Sequence, residues 1–487
     1  MLAFDIAESL ESTPVRIAIG IIGMGLLWLL AREVRRIPAR LLVLMATAFL
    51  DMVGLLMIVP LLPFYVKRLA GDGVVVLGTT LEIGLLSGLV VSSFTVAQLL
   101  SAPMWGRFSD SIGRRPALLI ALFASACAYL VFGFADSLWL LVLSRLVQGA
   151  GGGTVGVIQA YVADSVEPEQ RARALGWLSA STNLGVALGP VLGSYAFSIR
   201  NVDLWPGEGT LAMGTAAPGI VAALLCLMTL GFAAKYLKES NPQAVANKAT
   251  AANAANTPNA SNASNAPNAS TAATTASVAK PARRSVRASV LQVVLHPREP
   301  ASRLILTYGI AIGSFQGINA VLALFLNARF EVDEHTIGYF FMYIGAIAVF
   351  TRVLLLGRLV DRLGEAKLSR IGIVTLATGV LAIPFATSLP MLALAVAMLP
   401  LGTAFTFPCV TSLLSRVVAG AERGLYMGLQ QTYGGMARLI APLFYGWAFD
   451  HLGIAVPFYF SAAFVLATVF LGFGLDRFAG PRKAAAA

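Results

Sequence analysis

Asp51 lies within LeuAspMetValGly, Leu50–Gly54, inside an apolar run over 41–65 that carries Pro60 and Pro63. A carboxylate in hydrocarbon has no water to solvate it, so an ionisable residue at such a place points first to proton or ion chemistry. Arg145, followed by Gln148 and Gly149, puts a cation into a second apolar run, and Arg352 and Arg438 lie in two others. At about 1.5 Å per residue, Asp51 stands about 15 Å into its run, near the middle of a roughly 30 Å core. Arg145 enters from the opposite side and stands about 10 Å deep, so the two reach similar depth. Two readings stay open. Asp51 is a proton carrier whose affinity Arg145 biases between conformations, or the two form a fixed ion pair that orders the helices.

The elements that must position these residues are membrane helices. The 487 residues are 57% hydrophobic and 12% charged, with a mean hydropathy of +0.78, too apolar for a soluble globular chain. The net charge of +11 is spread through short segments between apolar runs, which is a topology signal and not a nucleic-acid-binding face. Twelve runs read as spans, the first at 41–65 and the last at 454–475. Lys and Arg concentrate in alternate loops, with only Lys67, Arg68, Arg200 and Arg329 on the other side, so both ends of the core are expected in the cytoplasm of a plasma (inner) membrane protein.

The expected organisation is an N-terminal extension (1–37), a six-helix bundle (38–239), a cytoplasmic tether (240–282), a second six-helix bundle (283–478) and a tail (479–487). Within the extension, Ile17–Ala31 is short for a span and reads either as an extra span or as an interfacial helix. The tether, rich in Asn, Ala, Ser and Thr, cannot bury a core and is expected to be disordered. Val290–Leu295 reads as a short helix on the inner leaflet. Cys127, Cys226 and Cys409 lie far apart in apolar runs, and none of His296, His335 and His451 stands at ligand spacing with them, so neither a metal site nor a cofactor is expected.

The two bundles repeat. Gly106 and Asp110 recur as Gly357 and Asp361, and the PheAlaXSerLeu pattern at Phe134 recurs at the same offset at Phe385. One residue further along the offset, Arg171, Gly176 and Pro190 match Arg423, Gly428 and Pro442. Parallel six-span repeats are a transporter architecture, with the substrate site between the halves near mid-membrane.

Gly106–Arg115 is a charged tight loop in which Gly106 and Gly113 allow close packing and a turn, Asp110 can stand at a helix N-terminus, and Arg114 and Arg115 face anionic lipid or carboxylates. It resembles the signature loop of the major facilitator superfamily, G-x-x-x-D-(R/K)-x-G-R-(R/K), with Ser111 in place of a basic residue. The second copy keeps Gly357, Asp361, Arg362 and Gly364 but has Glu365 where Arg is usual. In that family the loop is a latch whose Asp engages a helix of the other half in one conformation. Arg145, Gln148 and Gly149 match the family's R-x-x-Q-G pattern, and Gly176, Gly185, Gly189, Pro190 and Gly193 resemble its exporter pattern G-x8-G-x3-G-P-x2-G-G, with Ser194 as the last residue. The Asp51 segment with its two prolines resembles the first helix of the twelve-span drug/proton antiporters, tetracycline exporters included.

The resemblance implies an all-α membrane protein of twelve transmembrane helices in two pseudo-symmetric six-helix bundles. The activity it implies is proton-coupled antiport of a small amphiphilic compound or drug by alternating access. Protons, membrane lipid and that small molecule are the expected partners, nucleic acid is not, and the chain is expected to be a monomer and not an enzyme. Gln316, Asn319, Tyr343, Gln431 and Arg438 are substrate-cavity candidates, amides, phenol and cation among apolar walls. A uniporter or importer of a small solute is the competing reading, and a non-transporting membrane scaffold or receptor the third.

Overall fold

Hydrocarbon leaves a spanning backbone few ways to satisfy its own polar groups, and the described apolar segments take the helical one. The structure, a computed structural model, describes residues 39–71, 73–76, 79–151, 154–167, 170–197, 199, 201–202, 211–212, 216–239, 291, 293–418 and 422–474. The Ile17–Ala31 stretch, the 241–280 tether and the 479–487 tail lie outside these residues, and the short helix expected at Val290–Leu295 is described only in part.

Helix α1 (Ala39–Ile58) passes through a tight turn, Val59–Leu61, into α2 (Leu62–Ala70). The break falls at Pro60 and Pro63, which lack the N–H that a continuous helix needs. A hairpin of β1 (Val74–Val76) and β2 (Thr79–Leu81) leads into α3 (Ile83–Ile112), α4 (Arg114–Gly133), α5 (Leu138–Gly151), α6 (Thr154–Ser165), α7 (Arg171–Phe197) and α8 (Ala217–Tyr236). The second half holds α9 (Pro300–Phe330), then α10 (Ile337–Phe350), joined by a π-helical stretch, Thr351–Leu355, to α11 (Leu356–Leu363). It continues with α12 (Glu365–Ala382), α13 (Leu389–Val417), α14 (Arg423–His451) and α15 (Val456–Leu471). Eight helical stretches among the described residues are long and apolar enough to cross a membrane, and α10 and α15 are shorter apolar helices. With the long helices α7 and α14 the set is consistent with twelve spans.

The signature segment differs from the expected loop. Helix α3 runs on to Ile112, so Asp110 lies in its last turn and not at the start of the next helix. The connection to α4 is Gly113 alone, at φ +107°, and its counterpart Gly364 joins α11 to α12 at φ +79°. Both need the left-handed region that glycine enters freely, which explains why the repeat keeps a glycine at this position.

Two seams join the halves, α3 against α14 and α7 against α10. The first closes at one end only. A Cβ at Gly84 would lie 2.6 Å from the Gly446 carbonyl oxygen, and one at Gly88 would lie 2.2 Å from that of Pro442. Gly106 shares that face of α3 at about 3.6 residues per turn, yet nothing lies within 4 Å of its added Cβ. Gly435 meets Leu99, whereas Gly428, farther along the same face of α14, meets nothing. The halves are therefore pressed together at the end remote from the signature segment and apart at the end that carries it.

Candidate functional site

Asp51 is buried, with 8% of its surface exposed, and Arg145 is buried to 1%. Between them stands a residue the motifs did not single out. The hydroxyl of Tyr129, on α4, lies within electrostatic reach of Asp51, Arg145 and Cys226 and near the side chain of Gln148. Gly54 makes room for it, since a Cβ there would lie 3.3 Å from the Tyr129 hydroxyl. That close approach is a physical reason for the glycine of LeuAspMetValGly, one turn beyond Asp51 on α1, and was the available signal for a bulky partner at this place.

The fixed ion pair does not form in this state. Arg145 makes no salt bridge among the described residues, and its Nε and Nη2 atoms are buried without a hydrogen-bond partner there. Its guanidinium carbon stands 5.2 Å from the centre of the Phe132 ring, a cation–π contact. Gln148 is fully buried and its Oε1 has no partner among the described residues. Asp51, Tyr129, Gln148 and Arg145 thus form one buried polar cluster inside the N-terminal half, its members interacting through Tyr129.

The exporter-pattern glycines of α7 pack on the helix that bears Asp51. A Cβ at Gly185, Gly189 or Gly193 would lie 2.6, 2.8 or 2.0 Å from the carbonyl oxygens of Phe49, Val53 and Met57. Small residues at this spacing let two backbones touch. The opposite side of the same helix meets the other half, because a Cβ at Gly338 of α10 would crowd Ser194 and the Pro190 carbonyl, and one at Gly345 would crowd Ala187. Gly176 falls within α7.

In the signature segment, Arg114 pairs with Asp110 at 2.6 Å and with Asp164 of α6 at 3.1 Å. Glu239, just beyond α8, caps the start of α4 by accepting the backbone N–H groups of Arg114 at 2.8 Å and Arg115 at 3.2 Å. This cap was not legible in sequence, since 125 residues separate donor and acceptor. In the second copy Asp361 and Arg362 are exposed and make no ion pair among the described residues, but Glu365 pairs with Arg416 of α13 at 2.8 Å and accepts from Ser412 at 2.7 Å.

The cavity candidates stay apart. Gln316 and Asn319 on α9 and Arg438 on α14 are partly buried, Tyr343 on α10 and Gln431 on α14 are exposed, and no hydrogen bond or ion pair joins them. A cavity of about 470 Å³ lies between α9, α14 and α15, lined by Leu306, Ile310, Tyr433, Met436, Phe444 and Phe464 among others and by none of the five. The third intramembrane cation, Arg352, sits in the π-helical stretch and donates to Asn183 of α7 across the seam between the halves.

The family model described as Major Facilitator Superfamily matches residues 44–355 and 304–487. Multidrug resistance protein 2 of Bacillus subtilis is 24% identical over 89% of this chain and 93% of its own. The class B tetracycline resistance protein of Escherichia coli is 32% identical over 37% of this chain, a match spanning 39% of that relative. Among solved structures, the human organic anion transporter MFSD10 aligns over 90% of this chain and 100% of its own with a TM-score of 0.60 at 24% identity. A bacterial homolog of the human lysosomal transporter Spinster, captured in an inward-facing and occupied conformation, aligns over 92% and 98% with a TM-score of 0.65 at 13% identity. With the family model covering nearly the whole helical core, the chain is a multi-pass membrane transporter that belongs to the Major Facilitator Superfamily.

Proposed function

We propose that this transporter is a proton-coupled exporter of a small amphiphilic organic compound, working by alternating access with both core ends in the cytoplasm. The observation that carries the reading is the asymmetry of the buried polar cluster. One repeat on, Tyr129 is replaced by Val380, Arg145 by Val396 or Ala397, and Gln148 by Leu399 or Pro400, all buried. The fold therefore accepts apolar side chains at these places, and a costly polar cluster kept in one half alone is best explained by chemistry.

In this reading Asp51 takes a proton from one side of the membrane and releases it to the other. Tyr129 and Gln148 hold its surroundings, and Arg145 favours the charged carboxylate when the helices bring it nearer. The glycine contacts of α7 tie the Asp51 helix to the α10 seam, so that a change at Asp51 reaches the interface between halves through packed backbone. Relatives named for multidrug and tetracycline resistance support the outward direction, and the latch role of Gly106, Asp110, Gly113, Arg114 and Arg115, with Gly357, Asp361 and Arg362 as its second copy, is proposed on the family pattern. Gln316, Asn319, Tyr343, Gln431 and Arg438 remain the proposed cavity residues.

The test is uptake of a compound panel into inside-out vesicles energised by a proton gradient, with and without an uncoupler. Wild type is expected to concentrate at least one amphiphilic compound and to lose this with uncoupler, and Asp51→Asn is expected to behave as the uncoupled wild type does. Full gradient-driven uptake by Asp51→Asn would remove Asp51 as the carrier.

A further inference from the structure

We propose that Asp450 is the latch that keeps the α3/α14 seam shut, by capping the start of α3 from the other half of the chain. Helix α3 begins without a side-chain cap of its own, because Glu82, at the capping position, makes no such hydrogen bond. The first N–H groups of a helix need partners from outside it. Asp450, in the last turn of α14, supplies both: its Oδ1 accepts from Gly84 at 2.8 Å and its Oδ2 from Leu85 at 2.7 Å. A carboxylate at the positive end of a helix adds a favourable charge–dipole interaction to these bonds.

The surroundings are shaped for this contact. A Cβ at Gly84 would lie 2.5 Å from Asp450 Oδ1, so glycine there is a condition of the cap. Below it, Gly88 lies against Pro442, and Ser92 donates to the Leu439 carbonyl at 2.7 Å, so the seam is closed over about two turns. The other seam supplies a comparison. The turn that leads into α10 is held locally instead, with Asp333 Oδ1 accepting from Thr336 N at 3.0 Å and Thr336 Oγ1 accepting from Asp333 N at 3.1 Å. Such local bonds survive when the halves part, whereas the Asp450 cap must break, leaving the N–H groups of Gly84 and Leu85 to water. Two further polar contacts across this end among the described residues, Lys67 to Asn327 and Arg68 to Glu334, are exposed or long at 2.8 and 3.9 Å.

The proposal rests on the halves opening alternately but on neither the substrate nor the coupling ion, so thiol alkylation of the purified full-length protein in lipid nanodiscs tests it. In a background with Cys127, Cys226 and Cys409 replaced by Ala, Ser92→Cys reports the closed end of the seam and Gly428→Cys its open end. Asp450→Ala is expected to raise maleimide labelling of Ser92→Cys about tenfold, the scale of losing hydrogen bonds to a charged acceptor, and to lower labelling of Gly428→Cys. Asp450→Asn, which keeps one acceptor, is expected to fall between, and Asp333→Asn to leave Ser92→Cys unchanged. Unchanged labelling in Asp450→Ala, a rise at both reporters, or an equal response to Asp333→Asn would each overturn the latch. The reciprocal shift with no export in vesicles would sink the export reading and leave the latch standing, and export with unmoved reporters would do the reverse.

Discussion

The two halves share a backbone plan and divide the chemistry between them. At matching buried positions the N-terminal half carries Tyr129, Arg145 and Gln148, and the C-terminal half carries Val380, Val396 or Ala397, and Leu399 or Pro400. At the matching turns the division is subtler. Arg114 pairs with Asp164 in the first, and Glu365 pairs with Arg416 in the second, both partners standing one repeat apart with their charges exchanged. The Glu that breaks the family pattern thus keeps the bridge between neighbouring helices and reverses its polarity. What the repeat conserves is the contact, and what it varies is the sign or the presence of charge.

Copying the second half into the first should have the largest effect. Arg145→Val is expected to leave thermal stability unchanged or about 1 kcal/mol higher, since a buried cation with no salt bridge among the described residues is exchanged for an apolar side chain the fold already accepts, while gradient-driven uptake falls to background. A collapse of stability measured by thermal unfolding would show that the cluster is structural. Next, Glu365→Arg sets two cations face to face and is expected to cost about 1–2 kcal/mol, restored by Arg416→Glu in the double variant. Failure of the second change to rescue the melting temperature would mean that the exchanged pair contributes nothing. Smallest in stability is Gly106→Ala, expected within about 0.5 kcal/mol of wild type or slightly above it because its Cβ meets nothing and helix propensity improves. Vesicle transport should nevertheless fall, as that face of α3 must meet α14 when the open end closes. Undiminished transport would mean the faces stay apart throughout the cycle.

Much of this was legible in the residues. The unsolvated Asp51 and Arg145, the repeat from Gly106 to Gly357 and the glycine spacing of α7 are patterns along the chain, and hydropathy converts such patterns into spans because hydrocarbon forbids most alternatives. The glycine spacing of α7 did not say that Gly185, Gly189 and Gly193 would rest on the helix of Asp51. In the sequence Tyr129 is one more aromatic in an apolar run, and Asp450 one more acidic residue near the end of another.

By itself, then, the sequence determined the helices, their repeat, and which half carries Asp51 and Arg145, since each depends on local composition measured against the bilayer. Only the tertiary structure decided the partners. It put Tyr129 between Asp51 and Arg145, set Glu239 at the head of α4 and Asp450 at the head of α3, and left the seam open at Gly106 and Gly428. Such contacts depend on how helices distant in the chain turn their faces toward one another. One face of a helix reads alike in sequence whether it meets lipid, a neighbour or an open cleft.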